Sequence, residues 1–111
     1  MNPLQIDRGT FAELQANAGA DFVLELVDTF AEEAPLIVAE MRAALAAGAA
    51  ERFRRAAHSL KSNSNTFGAS RLAELSRTLE LSGLPASAGP VDAVAKELQL
   101  SLAALKELAR G

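Results

Sequence analysis

An all-α bundle is predicted from three features of the chain. Half of its 111 residues are apolar, and alanine and leucine, which favour helices, dominate that half. The only aromatic residues are five phenylalanines, and cysteine is absent. Apolar positions recur at alternating steps of three and four through several stretches, which is the period of a helix face and not of a strand. No strand is expected. The chain is long enough for one core and too short for two, so residues 1–111 are read as a single helical domain. The architecture expected is an antiparallel up-down four-helix bundle with a short additional N-terminal helix.

The elements follow in order. Met1 to Thr10 reads as an irregular lead-in, and Phe11 to Gln15 as a short helix broken by Asn17 and Gly19. Thr10 is its expected cap, with Glu13 completing a capping box. From Asp21 a long amphipathic pattern begins, in which Val23, Val27, Phe30, Ala34, Ile37, Met41 and Ala44 form one stripe. Pro35 lies inside it. The stripe stays in phase across the proline, so a kink is expected in place of a break. Phe22, Leu24 and Leu36 fall about 100° or more from the stripe, and cover by the short first helix is favoured over an exposed patch.

Gly48 ends that helix, and Ala49-Ala50-Glu51 starts the next almost at once, which implies an antiparallel neighbour joined by a short turn. The central helix runs to about Thr66 and stops at Gly68. A fourth starts near Ala69 and runs to about Leu81, with Leu72, Leu75 and Leu79 inward and Arg71, Glu74, Arg77 and Glu80 outward. Ser82 to Pro90 is a loop to which no chemistry is assigned. The last helix spans roughly Val91 to Ala109, with Val94, Leu98, Leu102, Leu105 and Leu108 or Ala109 on the core side.

The central helix carries the only histidine. Phe53, Ala57, Leu60, Ser64 and Phe67 make a narrow stripe that must face the core. His58 lies about 140° from the centre of that stripe and therefore points away from the interior. Arg54, Arg55, Lys61 and Ser62 are one turn away in either direction and Asn65 is two turns on. Such a cationic, hydrogen-bonding field around an exposed imidazole suits a phosphoryl group.

Charge is distributed unevenly. The chain has a net charge of −3, yet residues 51–80 carry Arg52, Arg54, Arg55, Lys61, Arg71 and Arg77 against Glu51, Glu74 and Glu80, leaving +3 there and −6 elsewhere. A locally basic face on an acidic protein fits docking to an acidic protein surface and not nucleic-acid binding. Disulfides and thiolate metal sites are excluded by the lack of cysteine, and one histidine makes a structural zinc site improbable. Apolar runs are short and no leader pattern opens the chain, so no membrane association is expected and the protein is read as soluble and cytoplasmic. With no Walker-type or other glycine-rich nucleotide loop, ATP binding and self-sufficient catalysis are not expected.

Ala57-His58-Ser59-Leu60-Lys61-Ser62-Asn63-Ser64, then Phe67-Gly68-Ala69, then Leu72, Leu75, Leu79 and Glu80 resembles the pattern of the histidine-containing phosphotransfer (HPt) domain. That pattern reads H-x-L-K-G-S, a glycine ten residues after the histidine, and L-x-x-L-x-x-x-L-E. The acidic helix from Phe22 to Leu45 is also similar, so the likeness covers nearly the whole chain. The resemblance implies that His58 is the phosphoacceptor, that Lys61 orients or neutralises the phosphoryl group, and that Gly68 is the helix-ending glycine closing the motif. Arg54, Arg55, Ser62 and Asn65 are candidates for partner docking. Ser62 departs from the family, which most often has glycine there; docking is expected to survive, with rate or partner preference altered.

The chemistry expected is acceptance of a phosphoryl group from an aspartate on a receiver domain or hybrid histidine kinase, and its delivery to a response-regulator receiver. Alignment and charge neutralisation suffice for this, with Mg²⁺ and the carboxylate supplied by the partner and no cofactor bound by the chain itself. The protein is expected to be a monomeric phosphocarrier and not a kinase. A helical adaptor with an incidental histidine is the alternative. A kinase dimerisation domain fits less well, because Ser59 follows His58 where an acidic residue is typical and no proline occurs between His58 and Pro85. A hydrolase fits least, since no carboxylate lies within a helical turn of His58 in sequence, and Glu51 and Glu74 are too far along to share its face.

Overall fold

Asp7 opens the first helix of the computed structural model, which describes residues 6–110. Its Oδ1 accepts hydrogen bonds from the backbone N–H groups of Gly9 at 3.0 Å and Thr10 at 3.3 Å, two of the donors a helix start leaves free. The helix, α1, therefore runs Arg8–Ala18 and not from Phe11. The cap expected at Thr10 is displaced because aspartate caps at least as well and sits one turn earlier, with Gly9 tolerated in the first turn. Of the lead-in, Met1 to Gln5 lie outside the described residues.

The remaining helices are α2 (Ala20–Ala47), α3 (Ala50–Thr66), α4 (Ser70–Ser82) and α5 (Gly89–Arg110), and there is no strand among the described residues. Each of α2 to α5 packs on two neighbours in the ring α2, α3, α4, α5, while α1 lies against α2 and α3. Only Gly48 and Ala49 separate α2 from α3, so α3 returns along α2.

The stripe on α3 is buried as the periodicity requires: Phe53, Ala57, Leu60, Ser64 and Phe67 are all at or below 5% exposure. The Ser64 hydroxyl donates to the Leu60 carbonyl at 2.6 Å and that of Ser76 to Leu72 at 2.8 Å, so two small polar side chains are buried between helices without an orphaned donor. Ser76 takes the inward place on α4 with Leu72, Ala73 and Leu79, and Leu75 is only half-buried. On α5, Glu97 and Ser101 join Val91, Val94, Leu98, Leu102 and Leu105 on the buried side, with Glu97 reaching Arg71 of α4 at 3.5 Å.

α2 is unbroken across Pro35. Beyond the proline the buried residue is Val38 and not Ile37, which is half-buried. Both lie within about 60° of the stripe's centre, so periodicity cannot rank them; Ile37 falls at the rim between α2 and α3. The cover expected for Phe22, Leu24 and Leu36 is absent, since they are 52%, 39% and 69% exposed. The reason is where α1 is anchored. Ile6 and Phe11 are part of the buried core, the Asp7 N–H bonds to the Gly68 carbonyl, and Leu36 lies about 20 Å along α2 from Phe22, beyond the reach of an element tied down at one end.

That anchor is Gly68. α3 ends in a Schellman turn, with the Ala69 N–H bonded to the Ser64 carbonyl at 2.9 Å and the Gly68 N–H to Asn65 at 3.1 Å. Gly68 has φ of +75°, and its own carbonyl accepts from the Asp7 N–H at 2.6 Å. A Cβ at this position would stand 2.7 Å from the Asp7 carbonyl oxygen and 3.0 Å from Thr10 Cβ, whereas one at Gly48, at φ of +66°, would meet nothing. Gly48→Ala is therefore expected to cost about 1 kcal/mol from the left-handed backbone alone. Gly68→Ala is expected to cost at least about twice as much, because overpacking adds to the strain. Urea-unfolding midpoints of the two variants check this.

Candidate functional site

His58 stands on the outer face of α3 with its side chain 54% exposed, as its angle from the core stripe requires. It is not alone there. Glu80, one residue beyond the inward Leu79 of α4, points across to α3, and its side chain is only 11% exposed. Its Oε2 lies 2.7 Å from His58 Nδ1, and its Oε1 lies 2.9 Å from Lys61 Nζ. One carboxylate thus holds both residues of α3 that the sequence singles out, and Lys61 is held to 24% exposure.

The electrostatics set the protonation pattern. Lys61 first, and His58 after it, hold the Glu80 carboxyl below the usual carboxylate range, against a smaller opposing effect of burial. An ionised carboxylate can only accept, so the Nδ1 facing it carries the hydrogen. In the neutral imidazole the lone pair then resides on Nε2, the ring atom opposite Glu80. The site is consequently a nucleophilic nitrogen with its tautomer fixed from behind and a lysine one turn away.

The basic residues around the histidine divide into paired and unpaired. Arg52 forms a two-pronged pair with Glu40 of α2, at 2.9 and 3.0 Å. Arg54 is held by Glu51 one turn earlier on its own helix. Arg55 has no such partner among the described residues and lines a groove between α2 and α3. Ser62 and Asn65 are exposed, and Asn65 borders a shallow depression with Lys61, Ser70 and Arg77 on the α4 side. Gly68, ten residues after His58, is about 15 Å away along the axis and acts on the site only through the end of α3. Among the described residues no group of His, Asp and Glu side chains is placed to hold a metal ion, and no helix is long and apolar enough to cross a membrane.

Glu80 is the residue that sequence reasoning misplaced. On α4 it lies about 80° from Leu72, on the flank of the core stripe that meets α3, whereas Glu74 and Arg77 lie farther round. It cannot be grouped with them as outward. The absence of a carboxylate within a turn of His58 holds along the chain but not in space, because the acid arrives from the neighbouring helix. The one available signal was the glutamate closing L-x-x-L-x-x-x-L-E.

The helical ring and an exposed histidine braced by a glutamate and a lysine define a phosphotransfer module. The Hpt domain family model matches residues 25–108, and the chain belongs to that family, whose members act as phosphocarriers in phosphorelay signalling. The crystal structure of histidine-containing phosphotransfer protein B (HptB) from Pseudomonas aeruginosa PAO1 is similar, with 28% identity and a TM-score of 0.75 over 96% of this chain and 91% of that one. No curated protein matches the chain.

The downward shift of the Glu80 pKa has a sign that can be checked. Its pairing with Lys61 and His58 stabilises the fold when the carboxylate is ionised, and that contribution is lost only as the pH falls below the ordinary carboxylate range. A side-chain carboxyl titration by NMR should place Glu80 below a model glutamate, and Lys61→Ala should move its midpoint up.

Proposed function

We propose that the protein is a phosphorelay intermediate in which His58 Nε2 accepts a phosphoryl group from a receiver-domain aspartate and passes it to a second receiver. The donor is a receiver of a response regulator or of a hybrid histidine kinase. The Nε2 lone pair forms the N–P bond, the P–O bond to the aspartate breaks, and the carboxylate leaves with its electron pair. The reverse sequence discharges the histidine onto another carboxylate. The observation that carries this reading is the 2.7 Å contact between Glu80 and Nδ1, which leaves the opposite nitrogen of an exposed ring as the nucleophile.

Each neighbour has a role in this scheme. Lys61 supplies a positive charge against the phosphoryl oxygens and also offsets Glu80, whose negative charge alone would repel them. Ser62 and Asn65, exposed and small or polar, border the partner's approach on one side of the ring, and Arg54 and Arg55 on the other. The partner brings the reacting carboxylate and the Mg²⁺ that neutralises charge on the transferred group. The chain acts as a single cytoplasmic domain and a monomer, binds its receivers briefly, and relies on a kinase elsewhere for ATP.

The test is incubation with receiver domains phosphorylated by acetyl phosphate. Wild-type protein should acquire acid-labile, alkali-stable label and His58→Gln none; equal labelling of both would overturn the assignment and favour an adaptor. Lys61→Ala should slow transfer roughly ten- to a hundredfold, the worth of one hydrogen bond to a charged group. Glu80 is a positioning residue. In ¹⁵N spectra of the imidazole, wild type and Glu80→Gln, whose amide oxygen still accepts, should keep the Nδ1–H tautomer, and Glu80→Ala should show a mixture.

A further inference from the structure

Glu80 meets a different ring once His58 is phosphorylated. Before transfer its carboxylate faces a neutral imidazole through the Nδ1 hydrogen, at 2.7 Å. When Nε2 has taken a phosphoryl group its lone pair is engaged in the N–P bond, so a ring that keeps the Nδ1 hydrogen carries a positive charge. That charge forms against an ionised carboxylate whose side chain is only 11% exposed, where poor access of water strengthens the attraction. The uncharged alternative is a phosphorylated ring that has lost its Nδ1 proton to solvent. Its bare lone pair would then point at Glu80 Oε2, two acceptors face to face with no hydrogen between them.

The two forms differ in how readily the phosphoryl group leaves. From the cationic ring the N–P bond breaks with its electron pair returning to Nε2, and the leaving group is a neutral imidazole. From the deprotonated ring the same step expels an imidazolate anion, a much poorer leaving group. Glu80 is the one charged group in contact with the ring among the described residues. Lys61 Nζ lies on its second oxygen at 2.9 Å and works against a cation on the ring. Arg54, one turn before the histidine, feels the Glu80 charge but is bonded to Glu51, and Arg77 of α4 lies in the depression beside Lys61. On the α2 side Glu40 is paired with Arg52, and Glu33 and Arg55 line the groove there without pairing with the ring or with Glu80 among the described residues.

We infer that Glu80 keeps the phosphorylated His58 ring protonated on Nδ1, which holds the phosphohistidine in its labile form and sets the lifetime of the charged carrier. The inference takes from the relay reading only that Nε2 is the phosphorylated atom. In onward transfer a carboxylate oxygen of the receiver bonds to phosphorus as the N–P bond breaks, and His58 is left neutral with its hydrogen still on Nδ1. In hydrolysis water supplies the oxygen, and both of its hydrogens remain on the phosphate released. Glu80 acts through the ring, from the side opposite the phosphoryl group, and is a positioning residue in both states.

The experiment charges His58 directly with potassium phosphoramidate, a small donor that needs no receiver, in wild type, Glu80→Gln and Lys61→Ala. Loss of the phosphoryl group is followed by ³¹P NMR from about pH 5 to about pH 9, the range in which an imidazole titrates. Glu80→Gln still offers an oxygen to the Nδ1 hydrogen but no charge, and its amide can donate to a bare Nδ1. The midpoint of the ³¹P shift and of the decay rate should therefore fall by about one pH unit, the difference between a charged and a neutral hydrogen bond. On the alkaline side this variant should hold its label about tenfold longer than wild type, and at the acid end, where both rings are protonated, the decays should coincide. Lys61→Ala should move the midpoint the other way, upward, because it removes the cation that competes for Glu80.

Equal midpoints in wild type and Glu80→Gln, or decays that differ by the same factor at every pH, would overturn the inference and leave the relay standing. A wild type that phosphoramidate does not charge would overturn it as well, since it requires a reactive lone pair on Nε2. Receivers that fail to label the wild type would refute the relay, while the phosphoramidate midpoints still decide the part played by Glu80. Circular dichroism of each variant confirms that the bundle is retained.

Discussion

The carboxylate of Glu80 joins two helices at the face where the histidine stands, and the character of that face depends on it. Its two oxygens reach His58 and Lys61 at 2.7 and 2.9 Å, so an acid from α4 dictates the proton position of an imidazole on α3 and the resting place of an ammonium. Such an arrangement demands close packing of α3 on α4, which the buried Ser64, Ser76, Ala57 and Ala73 permit by their small size. The core of the bundle and the chemistry of its surface are therefore one problem: a bulkier residue at any of these positions would move Glu80 away from the ring.

The same packing separates residues that look alike in the sequence. Four cations cluster on α3 near the histidine, but three are matched to carboxylates from three different places: α2, the first turn of α3, and α4. A charge run that reads as a uniform basic face is in the folded chain a set of local ion pairs with one arginine left over. Exposed pairs of this kind add little to stability, and their greater effect is to decide which charge a partner meets.

Much of the fold is legible in the sequence, for reasons that also mark where legibility stops. The stripe from Phe53 to Phe67 and the outward His58 follow from the helical period alone, since a single-helix property needs only that helix. Ile37 and Val38 could not be ranked, because both border the stripe and the choice belongs to the neighbour. Thr10 and Asp7 are both competent caps; the bond between the Asp7 N–H and the Gly68 carbonyl, a contact across some sixty residues of chain, fixes where the strand of backbone turns. Glu80 depended on the register of α4 against α3, which no period within either helix encodes. Leu36 was legible as surplus to the core, and the position of α1 decided that it stays uncovered.

The Schellman turn at Gly68 and the Asp7 strap across it close the end of α3 with backbone bonds on both sides. Fraying, which ordinarily begins at a helix terminus and travels inward, is thereby stopped more than two turns short of the imidazole. Association with a partner then needs no coil-to-helix transition in this chain, and release does not melt one. A surface closed in this way is already ordered before a partner arrives, which removes the cost of ordering it from the free energy of association.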